Sequence, residues 1–126
     1  MTRKLEPGNP FEALERVFHE PNRLAIVSAV CAAPRGLAFT DLRDACRLTD
    51  GNLNRHLKVL EDAGVVAIRK TFVDDKPRTT IDLTRAGLDR FNEYLAALSG
   101  VLEQAAAALP VERRRAVLPA GRHVLA

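Results

Sequence analysis

The stretch Thr49-Asp50-Gly51-Asn52-Leu53-Asn54-Arg55-His56-Leu57-Lys58-Val59-Leu60-Glu61-Asp62-Ala63-Gly64 decides how this chain folds. Leu53, Leu57 and Leu60 recur at i, i+4 and i+7, so in a helix they share one face turned to a core. The opposite face carries Asn52, Arg55 and Lys58 with Asn54 beside them. These side-chain types hydrogen-bond base edges and phosphates in a major groove. Thr49 supplies a capping hydroxyl at the start, and Gly64 a residue able to end the helix in a left-handed turn.

Downstream, 65–72 and 78–83 are rich in β-branched residues and flank Val73-Asp74-Asp75-Lys76-Pro77, dense in turn formers. This predicts a β-hairpin with a polar, basic tip. Upstream, Pro21 opens a helix through Leu24, Ile26, Val27 and Val30 that Pro34-Arg35-Gly36 breaks. Leu37-Ala38-Phe39 reads as a short strand, and Thr40 as the cap of a helix over 41–47 whose Leu42 and Ala45 face the core. Before Pro21, Phe11, Leu14, Val17 and Phe18 space as one face of a first helix, after a mobile leader at 1–10. The fold class expected is mainly α with a small β-hairpin (α+β): a winged helix-turn-helix over 11–98 with an N-terminal helix.

The helix at 84–109 carries Leu88, Phe91, Leu95, Leu98, Leu102, Ala105 and Leu109 at alternating spacings of three and four, the pattern of a coiled-coil seam. A small domain uses part of such a stripe for its own core. The distal part therefore points to a second copy of the chain, related by a two-fold axis. Phe11, Leu14 and Phe18 are expected to join Leu88, Phe91, Leu95, Leu98, Leu102 and Leu109 in that dimer interface. The bland alternative is a helix folded back on its own domain. A tail at 110–126 contains Glu112-Arg113-Arg114-Arg115 and reads either as a short basic helix that touches DNA or a partner or, the more common case, as a solvated charge run; no site is assigned to it.

The run from Asn52 to Val66 is similar to the recognition-helix signature of winged-helix transcriptional regulators of the ArsR and MarR type. Pro77-Arg78-Thr79-Thr80-Ile81-Asp82-Leu83-Thr84-Arg85-Ala86-Gly87 resembles their second wing strand and the Leu-Thr-x-x-Gly that starts their last helix, and His19 to Ile26 is like the opening of their first core helix. The resemblance covers roughly residues 19–98 and implies a small regulator of double-stranded DNA, with repression as the family's usual sign. In a dimer, two such helices read half-sites about 34 Å apart, so the operator is expected to be an imperfect palindrome.

Within that frame Arg55 is the first choice for a base contact, its guanidinium matching a guanine edge; the alternative is a solvated helix arginine. Asn52 and Asn54 either read adenine or bond phosphate, and Lys58 supplies charge to the backbone. Gly51 leaves backbone N–H groups open to a phosphate, or is simply a poor helix former. His56 is either a partly buried, hydrogen-bonded histidine or a phosphate contact. Lys70, Lys76 and Arg78 on the wing approach phosphates, with Asp74 and Asp75 opposing deep insertion. Thr40 is assigned a phosphate bond besides its cap.

The remaining classes are excluded or weak. At 126 residues and a net charge of +3, the chain is one domain whose basicity permits nucleic-acid binding without establishing it. It has no glycine-rich phosphate loop, nucleophile elbow or clustered carboxylate pair, so no enzyme or cofactor site is expected. Cys31 and Cys46 are too few and too far apart to hold a metal, and His19, His56 and His123 show no ligand spacing, so no metal site is expected either. The two cysteines, Cys31 and Cys46, read as small core residues, with a redox switch at Cys46 the lesser alternative. The absence of a secretory signal or apolar span predicts a cytoplasmic protein with no membrane partner. A small-molecule effector is left open, its nature unknown. The rival function is a winged-helix module that binds protein instead of DNA, which predicts apolar residues on the outer face of 49–63.

Overall fold

The computed structural model describes residues 14–113; the leader at 1–10, Phe11 and the tail beyond 113 lie outside the described residues. Residues 15–92 form one compact unit. Its elements are α1 (Pro21–Cys31), β1 (Leu37–Ala38), α2 (Phe39–Cys46), α3 (Asp50–Asp62), β2 (Val66–Val73), β3 (Lys76–Leu83) and the start of α4 (Arg85–Ala108). The expected winged helix-turn-helix is therefore the observed one.

Glu20 starts α1: its backbone is extended and its carboxylate accepts the Arg23 N–H at 2.8 Å, with Pro21 in the first turn. Ile26, Val27 and Val30 of α1 pack with Leu42, Leu53, Leu57, Leu60, Val65 and Ile81 into a core in which none is more than 2% exposed. The three strands are antiparallel in the order β1-β3-β2, with Ile68 opposite Ile81 and Leu37 on the other side of Ile81.

The helix expected over the segment before Pro21 is absent among the described residues. Residues 14–20 are turns, held by the Phe18 and His19 N–H groups donating to the Glu15 carbonyl at 3.1 and 2.9 Å. Phe18 itself is fully buried, its ring 5.4 Å from that of Phe91 on α4. Both aromatics, expected at a dimer seam, belong to the protomer's own core, because the turn folds Phe18 inward onto the first turns of α4. Thr40 is not a cap: α2 begins at Phe39, its N-cap is Ala38, and no side chain caps it. Ala45 is exposed, as is Cys31, so neither is the core residue the sequence suggested.

The wing is tighter than expected. Strands β2 and β3 stay paired out to Val73 and Lys76, leaving a two-residue tip, Asp74-Asp75, with φ of 55° and 65°. Two successive positive φ values make the mirror-image turn that matches strand twist, and aspartate tolerates them better than most residues. Pro77 is accommodated because it sits opposite Phe72, one step beyond the closing pair, where its missing N–H points away from β2.

From residue 93 onward α4 continues to Ala108 and is followed by a 3₁₀ turn at Val111–Arg113. Tyr94 is 1% exposed, whereas Leu95 and Leu102 are 42% and 39% exposed. No helix among the described residues is long and apolar enough to cross a membrane.

Candidate nucleic-acid interface

Helix α3 is built to hold one face outward. The Thr49 hydroxyl caps it by accepting the Asn52 N–H at 3.1 Å, and Gly64, at φ 78°, ends it while the Val65 N–H reaches the Leu60 carbonyl at 2.9 Å. Its start is tied to α2 by Arg43, whose guanidinium spans Asp44 at 2.9 Å and Asp50 at 3.0 Å. Its end is tied to α4 by Arg90, which donates to the Ala63 carbonyl at 2.7 Å and to Glu15 at 2.8 Å, and lies 5.9 Å over the Phe18 ring. Leu53, His56, Leu57 and Leu60 are buried between these attachments.

With the inner face fixed, Asn54, Arg55 and Lys58 stand exposed together. The side chains of Asn54 and Arg55 make no hydrogen bond or ion pair among the described residues, and Lys58 meets only Asp62, at 3.4 Å across an exposed pair of little energetic weight. Asn52 is half-buried. Gly51 is exposed, and a Cβ there would meet nothing within 4 Å, so the backbone beside it is open to solvent. His56 departs from this group. At 6% exposure it lies on the inner side of the helix, with Nδ1 3.3 Å from Arg23 Nη1 and 3.9 Å from Glu20 Oε1. Burial pulls its pKa below the usual histidine value, the charges of Arg23 and Arg55 add to this, and Glu20 opposes it. A phosphate contact by His56 is not available in this arrangement.

The wing contributes a second set of cations. Lys70 is exposed on the β2 face that carries Phe72, and Lys76 and Arg78 are exposed on the other face of the hairpin. Lys76 and Arg78 share an open cleft of about 590 Å³ with Thr40 and Asp41 of the first turn of α2. The structure thus brings Thr40, Lys76 and Arg78 together, with the uncapped N–H groups of α2 alongside. Arg69 is spent within the sheet, its Nε 2.6 Å from Asp82. Burial pushes the Cys46 thiol pKa up, which works against a reactive thiolate there. No group of three or more potential metal ligands occurs among the described residues.

The residues that sequence reasoning passed over are those that position the site: Glu20, Arg23, Arg43 and Arg90. Only the Leu-Thr-x-x-Gly motif carried a legible signal of this kind. The Thr84 hydroxyl donates to the Gly64 carbonyl at 2.6 Å and accepts the Gly87 N–H at 2.8 Å, locking the start of α4 onto the end of α3.

Comparisons with known proteins agree with this geometry. The chain is similar to an uncharacterised protein of Methanocaldococcus jannaschii, 39% identical over 57 residues; the match spans 45% of this chain and 62% of that protein's length. Among solved structures it is similar to a transcriptional regulator homologue from Pyrococcus horikoshii OT3, with a TM-score of 0.69 and 28% identity, covering 75% of this chain and 94% of that one. The fold is also that of MepR from S. aureus in complex with DNA, with a TM-score of 0.62 and 20% identity over 77% of this chain and 80% of that one. Such a family and fold are those of DNA-binding proteins, not of enzymes. A family described as winged helix DNA-binding domain matches residues 22–102, and the chain belongs to it.

Proposed function

We propose that this protein is a sequence-specific transcriptional regulator of double-stranded DNA that acts as a homodimeric repressor on an imperfect palindrome. The observation that carries the reading is the exposed face of α3, where Asn54 and Arg55 make no hydrogen bond or ion pair among the described residues and Lys58 meets only Asp62, while the other face is buried. In this reading α3 lies in the major groove, Arg55 pairs with a guanine, Asn52 and Asn54 bond adenine or phosphate, and Lys58 neutralises the backbone. Gly51 opens the helix start to a phosphate. Lys70, Lys76 and Arg78 bring the wing to the flanking backbone, and Thr40 adds a phosphate bond from α2. Asp74 and Asp75 at the tip keep the wing out of a deep groove. Repression and the ArsR or MarR kinship rest on resemblance, the palindrome on the two-fold symmetry of the dimer, and a cytoplasmic location fits a DNA-binding regulator. An effector would sit between the dimer helices and the DNA-reading domain.

The test is fluorescence anisotropy of the full chain against the intergenic duplex upstream of its own gene and a scrambled duplex, at two salt concentrations. Specific binding is expected to weaken as salt rises, and Arg55→Ala to weaken it by about 1–3 kcal/mol, roughly five- to 150-fold. Absence of binding to any duplex at low salt would favour the protein-interaction module instead.

A further inference from the structure

We propose that His56 is a proton-operated latch between the recognition helix and the N-terminus of α1, in which one ring nitrogen exchanges Arg23 for Glu20 as its partner. The inference goes beyond the DNA-binding reading, and its test uses no DNA, so either can fail while the other stands.

The geometry defines both states. A guanidinium has donors only, so the 3.3 Å contact between Arg23 Nη1 and His56 Nδ1 is a hydrogen bond only when Nδ1 keeps its lone pair, with the proton on Nε2. That state is neutral histidine. Arg23 is otherwise held in place, its Nε donating to the Val17 carbonyl at 2.9 Å. It cannot follow a changed ring. Protonation turns Nδ1 into a donor aimed at a cation, and the carboxylate within reach among the described residues is that of Glu20, whose Oε1 stands 3.9 Å away. To gain that bond the ring and Glu20 must close the gap.

Glu20 is already employed. The same Oε1 accepts the Arg23 N–H at 2.8 Å as the cap of α1. An approaching imidazolium competes for that oxygen, so acid loosens the α1 cap and breaks the Arg23–His56 bond in one step. The charged groups that face the ring are Glu20 from the turn before α1, Arg23 from α1, and Arg55 from α3 itself. Two are cations, and at 6% exposure little water reaches the imidazolium. Glu20 stays ionised through the relevant range: burial pushes its pKa up, but the N–H groups of Arg23 and Asn22 and the charges of His56 and Arg23 outweigh this and hold it below the usual value.

The sign follows. With a folded-state pKa below that of the unfolded chain, near 6.5, the unfolded state binds more protons as pH falls through that value. Stability is full above it and is lost progressively until the folded-state pKa is passed. The experiment follows the His56 ring resonances of the full-length protein by NMR from pH 8 to pH 5, alongside melting temperature and amide exchange, for wild type and His56→Gln. The Gln oxygen can still accept from Arg23 and does not titrate. A His56 midpoint below about 6.5 is expected, with a melting temperature that falls in the same window and amide exchange rising severalfold in the first turns of α1 and along α3. His56→Gln is expected to flatten these responses. A wild-type midpoint at or above about 6.5, an equal pH slope in His56→Gln, or amide exchange at the start of α1 that does not change through the His56 titration overturns the latch; the last is read on the wild type even if the variant does not fold.

Discussion

Arg47 occupies a place that chemistry reserves for glycine. It ends α2 at φ 57°, and the Leu48 N–H reaches back to the Arg43 carbonyl at 3.0 Å, the same closure that Gly64 provides for α3. A side chain in the left-handed region costs roughly 1–2 kcal/mol. Arg47→Gly is therefore expected to raise stability by up to about 1 kcal/mol, less than the strain relieved because glycine also frees the unfolded chain; chemical denaturation measures it. Gly87 is the reverse case. A Cβ there would collide with the Val65 backbone, whose Cα and carbonyl carbon lie 2.9 Å away. Gly87→Ala must push α4 off the α3–β2 junction, and a loss of about 1–3 kcal/mol is expected in the same measurement. The sequence marks Gly87 only as part of the Leu-Thr-x-x-Gly motif and leaves its close approach to Val65 unseen, because that approach is set by the partner segment; Arg47 in a helix-ending pattern looks like any other exposed cation.

At the scale of elements, legibility tracked distance along the chain. Helix α3 was readable because its leucine spacing, the Thr49 cap and the Gly64 stop all lie within its own sixteen residues. The helix over 11–18 was misread where it can be checked: the apolar spacing of Leu14, Val17 and Phe18 is compatible with a turn that drives one aromatic into the core. Thr40 misled because a good cap residue stood one step inside a helix that begins on Phe39. The wing tip was drawn too wide because aspartate and proline signal a turn without saying how many residues it spans. Of the candidate site, the outward set on α3 could be listed from the sequence, but the inward turn of His56 could not. Its partner Arg23 is separated from it by a sequence distance of 33, and no local pattern encodes that encounter.

On the scale of the molecule, α4 raises the matter of assembly. Phe91 is consumed by the protomer's core, but Leu95 and Leu102 remain more than a third exposed on a helix of 24 residues. Large exposed leucines repeated at seven are a surface suited to a second helix. On the dimer reading, Leu95→Glu should give a folded monomer by analytical ultracentrifugation and should weaken binding to a palindrome far more than to a half-site. A monomeric variant that holds the palindrome tightly would defeat the dimer. Leu95 is 42% exposed and is not among the buried core residues, so the direct effect of the substitution on folding is expected to be small.

The double fastening of α3, by Arg43 at its first residue and Arg90 at its last carbonyl, bears on how such a protein changes over evolutionary time. A helix bolted to its neighbours by residues that do not face outward separates scaffold from vocabulary. Asn54 and Arg55 make no hydrogen bond or ion pair among the described residues, so on the proposed reading their replacement rewrites a preferred sequence at little cost to folding. On that reading, lineages carrying this frame are free to drift between targets through these two positions while the fasteners stay put.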